Sequence, residues 1–169
     1  DTETKNAYIA VVSPGGGGCD TITNVGANDS LIIYSSQGGF VAGHNEFGDI
    51  AKADAFSGVP ANSTIDAAYF LFGVAQFANA SSSIEAKVWD NDGPGGAPGT
   101  ELASETVLIA DIAADVNASE FTEVVFSNPA TVGIDFYIGI SFSYAAGDSV
   151  ALVTTVDGFS SSSTAWEQW

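Results

Sequence analysis

The chain has 169 residues, with twenty-one Asp and Glu set against three lysines and no arginine, for a formal net charge of −18. That length is enough for one domain with a real core, and 46% apolar content separates it from disordered acidic tails. The charge excludes phosphate backbones and anionic lipid as natural partners, and one Cys with one His excludes an intrachain disulfide and a closed structural zinc site.

The chain opens on Asp1 and contains no Met, which predicts a processed chain or a fragment of a longer one. Its dominant periodicity is two, that of half-buried strands. Tyr8–Val12 reads as the first strand, and Gly15–Gly18 as a break. Cys19 follows on a stretch expected to be mobile, either as an unpaired thiol or, in an oxidising compartment, as half of an interchain disulfide. Leu31–Tyr34, Gly39–Ala42 and Ala51–Phe56 are further strand candidates. Thr64–Gln76 is apolar on both parities, so it predicts a central strand, or one bent at Gly73.

Ile84, Ala86 and Val88 alternate with Glu85 and Lys87, and a Gly/Pro-rich loop follows over Asn91–Gly99. Glu105–Ile109 and Phe121–Phe126 read as strands, with a helical alternative over Ile109–Val116 and a turn at Asn128-Pro129. Ile134–Tyr144 is the longest clean alternation. Val150–Val156 and Thr164–Trp169 close the pattern. About ten short strands at roughly ten-residue spacing predict an all-β, antiparallel β-sandwich or barrel, as one domain over residues 1–169. No run of about 18 apolar residues exists to span a membrane as a helix.

Two acidic loops offer oxygen ligands for a hard cation such as Ca²⁺: Asp90 and Asp92 in Asp-Asn-Asp-Gly, and Glu46 and Asp49 in the loop that begins at His44. Hairpin and solvated-loop geometry explains the same residues without a metal. Trp89 has opposite parity to Ile84, Ala86 and Val88, so it is expected to face outward as a platform for a sugar ring or a partner, with Tyr34 as a second aromatic. Trp166 and Trp169 predict a docked end to the chain. His44 is the only imidazole, and no Gly-x-Ser-x-Gly elbow is present, so nucleophilic catalysis has little to stand on.

Three stretches together carry a resemblance. These are the strand and loop from Ile84 through Trp89-Asp90 to Pro98-Gly99-Thr100-Glu101-Leu102, the segment FTEVVFSNPATVGIDFYIGI over Phe121–Ile140, and Gly43-His44-Asn45 ahead of the strand ending at Phe56. Their order over residues 38–156 resembles the jelly-roll-type modules of secreted and surface proteins of Bacteroidota, commonly cargo of type IX secretion. Residues 1–37 and 157–169 fall outside it. The resemblance implies a jelly-roll-like sandwich, a location outside the cell or on its surface, and a non-catalytic adhesive, structural or carbohydrate-binding role. It also implies O-glycosylation at Thr21, Ser30 and Ser149, each preceded by Asp and followed by an apolar residue.

The expected function is thus a non-catalytic extracellular structural or adhesive module, as a self-associating fibre subunit whose partners are like subunits or other surface proteins. The alternatives are a carbohydrate-binding module and a small carboxylate-pair hydrolase. No cofactor is expected beyond Ca²⁺.

Overall fold

A computed structural model describes residues 9–15, 18–156 and 164–168, with side chains described from residue 20 onward. The chain is an all-β antiparallel sandwich. Its strands are β1 (Ile9–Gly15), β2 (Gly18–Thr23), β3 (Leu31–Ile32), β4 (Ser35–Ser36), β5 (Gly39–Phe40), β6 (Ala51–Ser57), β7 (Ser63–Phe70), β8 (Phe72–Gln76), β9 (Ser83–Asp90), β10 (Glu101–Leu108), β11 (Thr122–Val132), β12 (Asp135–Ser141), β13 (Ser149–Leu152), β14 (Thr154–Thr155) and β15 (Ala165–Gln168). One helix, α1 (Ile109–Ala118), joins β10 to β11.

Four strands form one sheet in the order β11-β7-β1-β2, and five form the other in the order β10-β9-β12-β6-β15. The chain crosses between these two sheets five times, from β2 to β6, β6 to β7, β7 to β9, β10 to β11 and β11 to β12, so that strands close in sequence face each other across a jelly-roll-like sandwich. β1 lies between β7 and β2, so residues 9–15 and 18–23 are integral to the sheet.

The inward residues of both sheets make the core. Phe136, Ile138 and Ile140 of β12 meet Phe70 and Ile65 of β7, Val88 of β9 and Ile112 of α1 in one apolar cluster. Burying each such side chain contributes about 1.5–3 kcal/mol, which fixes the register, because a one-residue slip would turn every one of them outward.

Three local readings change, and the one left open between strand and helix resolves as a helix. Thr64–Gln76 is two strands broken at Leu71, because β8 leaves the sheet of β7 to pair with β13. Asn128-Pro129 lies inside β11 rather than in a turn; the ladder slips between Val125 and Ala130, and an edge strand tolerates a proline that cannot donate. Ile109–Ala118 is helical: Ile109 and Ile112 are buried three residues apart, and Ser119, at φ 57°, ends the helix while Glu120 N–H bonds the Asp115 carbonyl. Cys19 stands in β2 with its backbone opposite Pro14, not on a loose glycine stretch. Its side chain, like Trp169, lies outside the described residues.

Candidate functional site

Ladder register decides which side chains share the outer face of the five-stranded sheet. Phe136, Ile138 and Ile140 point inward, so their neighbours point out, and paired residues on adjacent strands share a face. Trp89 on β9 is therefore beside Tyr137 on β12 and Ala55 on β6. One pair along, Lys87, Gly139, Ala53 and Trp166 form a row from β9 to β15. The next row is Glu85, Ser141, Ala51 and Gln168.

The centre of this face is floored by small residues. A Cβ on Gly139 would collide with the Lys52 carbonyl oxygen, so β6 and β12 approach closely there. Trp89, Tyr137 and Trp166, each half-buried, rise around that floor. The outward position expected for Trp89 is the observed one, and Trp166 shares its face. Tyr34 is half-buried between β3 and β4, in the connection from β2 to β6, and belongs to a different part of the fold.

Lys87 is central to the polar chemistry of this face. Its Nζ is 2.8 Å from Glu85 Oε2 and 2.9 Å from Glu101 Oε2. Partial burial pulls the ammonium pKa down, but hydrogen bonds to the two carboxylates outweigh it and hold Lys87 above its ordinary value. Tyr137 Oη donates to the Gly96 carbonyl at 2.7 Å, tying the face to the loop after β9. Burial, with the charge of Asp135, pushes that phenol up. Towards the other end of the face a groove of about 690 Å³ is lined by Glu85, Lys87, Thr106, Ser141, Tyr144 and Gln168 among others.

The two acidic loops have different fates. In the first, Glu46 is exposed, while Asp49 turns inward and pairs with Lys52. Lys52 Nζ also donates to Glu167 Oε2 of β15 at 2.7 Å, and Asn45 Nδ2 donates to Asp49 Oδ2 at 2.6 Å. The cation at Asp49 is thus the protein's own ammonium. In the second loop, Asp92 closes the turn on itself: Oδ1 accepts from Thr100 N–H and Oδ2 from Thr100 Oγ1, both at 2.6 Å. Those bonds, hydroxyl first and amide second, hold Asp92 below the usual carboxylate range. Asp90 Oδ1 accepts from Asn91 N–H at 2.9 Å. Among the described residues no three His, Cys, Asp or Glu side chains converge as a metal ligand set.

His44 is buried and structural. Its Nδ1 accepts the Val150 N–H at 3.0 Å, so the Nε2 3.1 Å from the Ser143 carbonyl carries the proton, and the ring packs against Phe142 and Tyr144. Of the three residues suggested for glycosylation, Thr21 and Ser30 are exposed and Ser149 is half-buried. Two of the preceding acids hold backbone amides: Asp29 accepts from Gly26 N–H within its own turn and Asp148 from Ala78 N–H in the connection after β8, both at 2.8 Å. That backbone bond, then the Ser82 hydroxyl, holds Asp148 low.

Reading the sequence by itself missed Tyr137, Lys87 and Lys52. The first two carried a usable signal, since their parity within Ile134–Tyr144 and Ile84–Val88 already puts them outward. Lys52 did not, because its partners come from residues 49 and 167. No protein-family model, curated protein or solved structure matches this chain.

Proposed function

We propose that this chain is a non-catalytic extracellular adhesive module that binds neutral carbohydrate through the outer face of its five-stranded sheet. The observation that carries the reading is the grouping of Trp89, Tyr137 and Trp166 around a floor of Gly139, Ala53 and Ala55, with charged and hydroxyl groups between them. A pyranose presents a flat C–H face that stacks on an indole, and a ring of hydroxyls that exchange hydrogen bonds with Lys87, Glu85, Ser141 and Gln168. A net charge of −18 repels anionic polymers, which favours an uncharged glycan. The same hydrated charge suits a protein exposed to a saline exterior.

The acid pair on this face does not support hydrolysis. Lys87 Nζ lies between Glu85 and Glu101, in the space that a scissile bond and its water would need. His44 has both ring nitrogens engaged in the interior and offers no base to the surface.

A panel of immobilised neutral polysaccharides, followed by calorimetric titration, tests the reading. Trp89→Ala should weaken binding by ten-fold or more, about 1.4 kcal/mol, at unchanged melting temperature. Glu123→Gln, on the other sheet, should bind like the parent. Capture of no neutral glycan, or equal affinity of the Trp89 variant, overturns it.

A further inference from the structure

The second observation concerns an edge, and it does not depend on the carbohydrate reading. β6 would be an edge strand without β15, and the side of β6 that β15 covers is poorly suited to water. Lys52 is 5% exposed and Asp49 3%, and Glu167 of β15 supplies the second acceptor for the Lys52 ammonium. β15 also accepts from β6 and its approach: Gln168 O from Ile50 N–H at 2.6 Å, and Thr164 O from Ala55 N–H at 2.9 Å. Removing β15 would expose a row of unpaired backbone groups and half of a buried ionic cluster.

β15 itself is weakly committed to the place it fills. It has four residues, none of them fully buried, and it pairs with one neighbour only. Its side chains bring the core little: Ala165 and Trp166 are half-buried, and Glu167 and Gln168 are exposed. The other edges differ. β2 is bound to the central β1 by a hairpin, while β10 and β11 run eight and eleven residues. Seven residues, Asp157-Gly158-Phe159-Ser160-Ser161-Ser162-Ser163, separate Thr164 from Val156, a length of chain that spans about 25 Å when extended.

An edge that needs an occupant, filled by a segment with few contacts of its own, is the condition for exchange. We infer that the β6 edge accepts residues 164–168 of a second copy in place of its own, so that copies associate by reciprocal or sequential strand exchange. The incoming segment is chemically identical, so it restores every backbone bond and the Glu167–Lys52 pair. Like charge on the two copies opposes their approach, and added salt screens it, so exchange should increase with ionic strength.

The test uses the full chain with Cys19→Ser, which removes the one native thiol. Ala51 and Gln168 are paired across β6 and β15 on the outer face, and Ala51→Cys together with Gln168→Cys allows a disulfide that ties β15 to its own β6. The parent should form dimers and larger species on concentrated incubation at raised salt, measured by light scattering after size exclusion. The oxidised double variant should stay monomeric, and reduction should restore its assembly. Mixing the two single variants should give an interchain disulfide, whereas Ala51→Cys mixed with Glu123→Cys should not. A parent that is monomeric under all these conditions overturns the inference. So does assembly that survives the oxidised tie, or crosslinking no faster than the Glu123 control. Circular dichroism of each variant separates misfolding from a negative result.

Discussion

Lys52 and Lys87 have the same local formula, one ammonium between two carboxylates, and opposite roles. Lys52 lies between Asp49 and Glu167 with 6% of its side chain exposed; Lys87 lies between Glu85 and Glu101 with 18% exposed, beside acids that are nearly half exposed. Around Lys52, loss of the ammonium leaves the desolvated Asp49 carboxylate without its counter-charge. Around Lys87, water replaces whatever is lost. The same motif is therefore a buried stability element at the sheet edge and a solvated polar group on the sheet face, where the proposed carbohydrate site lies.

Replacing each lysine by methionine, which keeps most of the volume, tests that contrast most directly. Lys52→Met strands Asp49, whose Oδ1 already lacks a partner among the described residues, and should cost about 3–5 kcal/mol in urea unfolding. Lys87→Met should cost at most about 1 kcal/mol, because exposed pairs are screened. Equal losses would mean that burial does not separate the two. A smaller loss is expected from His44→Ala, next to the Lys52 cluster. It removes the acceptor of a buried Val150 N–H and leaves space beside Phe142, for about 2–3 kcal/mol by the same measurement.

Strand order within each sheet was not legible in the sequence, but the faces of the strands were. Trp89 could be placed outward by counting from Ile84, because a period of two needs only neighbours. Asp49 and Glu46 could not be separated that way. What distinguishes them is a lysine three residues on from Asp49 and a glutamate 115 residues beyond that, brought together by β15 closing on β6. Ile109–Val116 was ambiguous for a different reason: its apolar residues fit a helical face, while the flanking strands argue for extension. Packing of Ile109 and Ile112 into the core decides it. Proline at 129 reads as a turn locally, and only its position on an edge strand allows it to stay in the ladder.

Acid should distinguish the loops from the Lys52 seam. Asp92 and Asp148 are each held low by loop hydrogen bonds, to Thr100 and Ala78 respectively. A carboxylate whose folded pKa is depressed contributes stability above its unfolded value, near pH 4, and that contribution is lost as pH falls through the folded value. The protection of the Thr100 and Ala78 amides against hydrogen exchange, taken relative to the intrinsic rate at each pH, should therefore fall below about pH 4 before the sandwich unfolds. Loss of protection at these two amides only together with the core would mean that the loops have no separate equilibrium.

The smallest effect is at the alkaline end and concerns Lys87 itself. Its folded pKa is raised above the ordinary lysine value, so its contribution is fully present below that value and disappears as pH climbs through the folded one. Tyr137, two strand positions away on the same face, is also raised, and there the neutral form is favoured by burial and by Asp135. Deprotonating Lys87 would leave Glu85 and Glu101 facing each other, and ionising Tyr137 would remove its donation to Gly96. Both changes act on β9, β10 and β12 and leave the Glu167–Lys52 contact that holds β15 to β6 untouched. Carbohydrate binding should therefore fade above about pH 10.5 while strand exchange continues, with salt weakening the Lys87 bracket and strengthening association. Binding and assembly that fade together on this titration would make both depend on the Lys87 and Tyr137 groups, and the division between edge and face would fail.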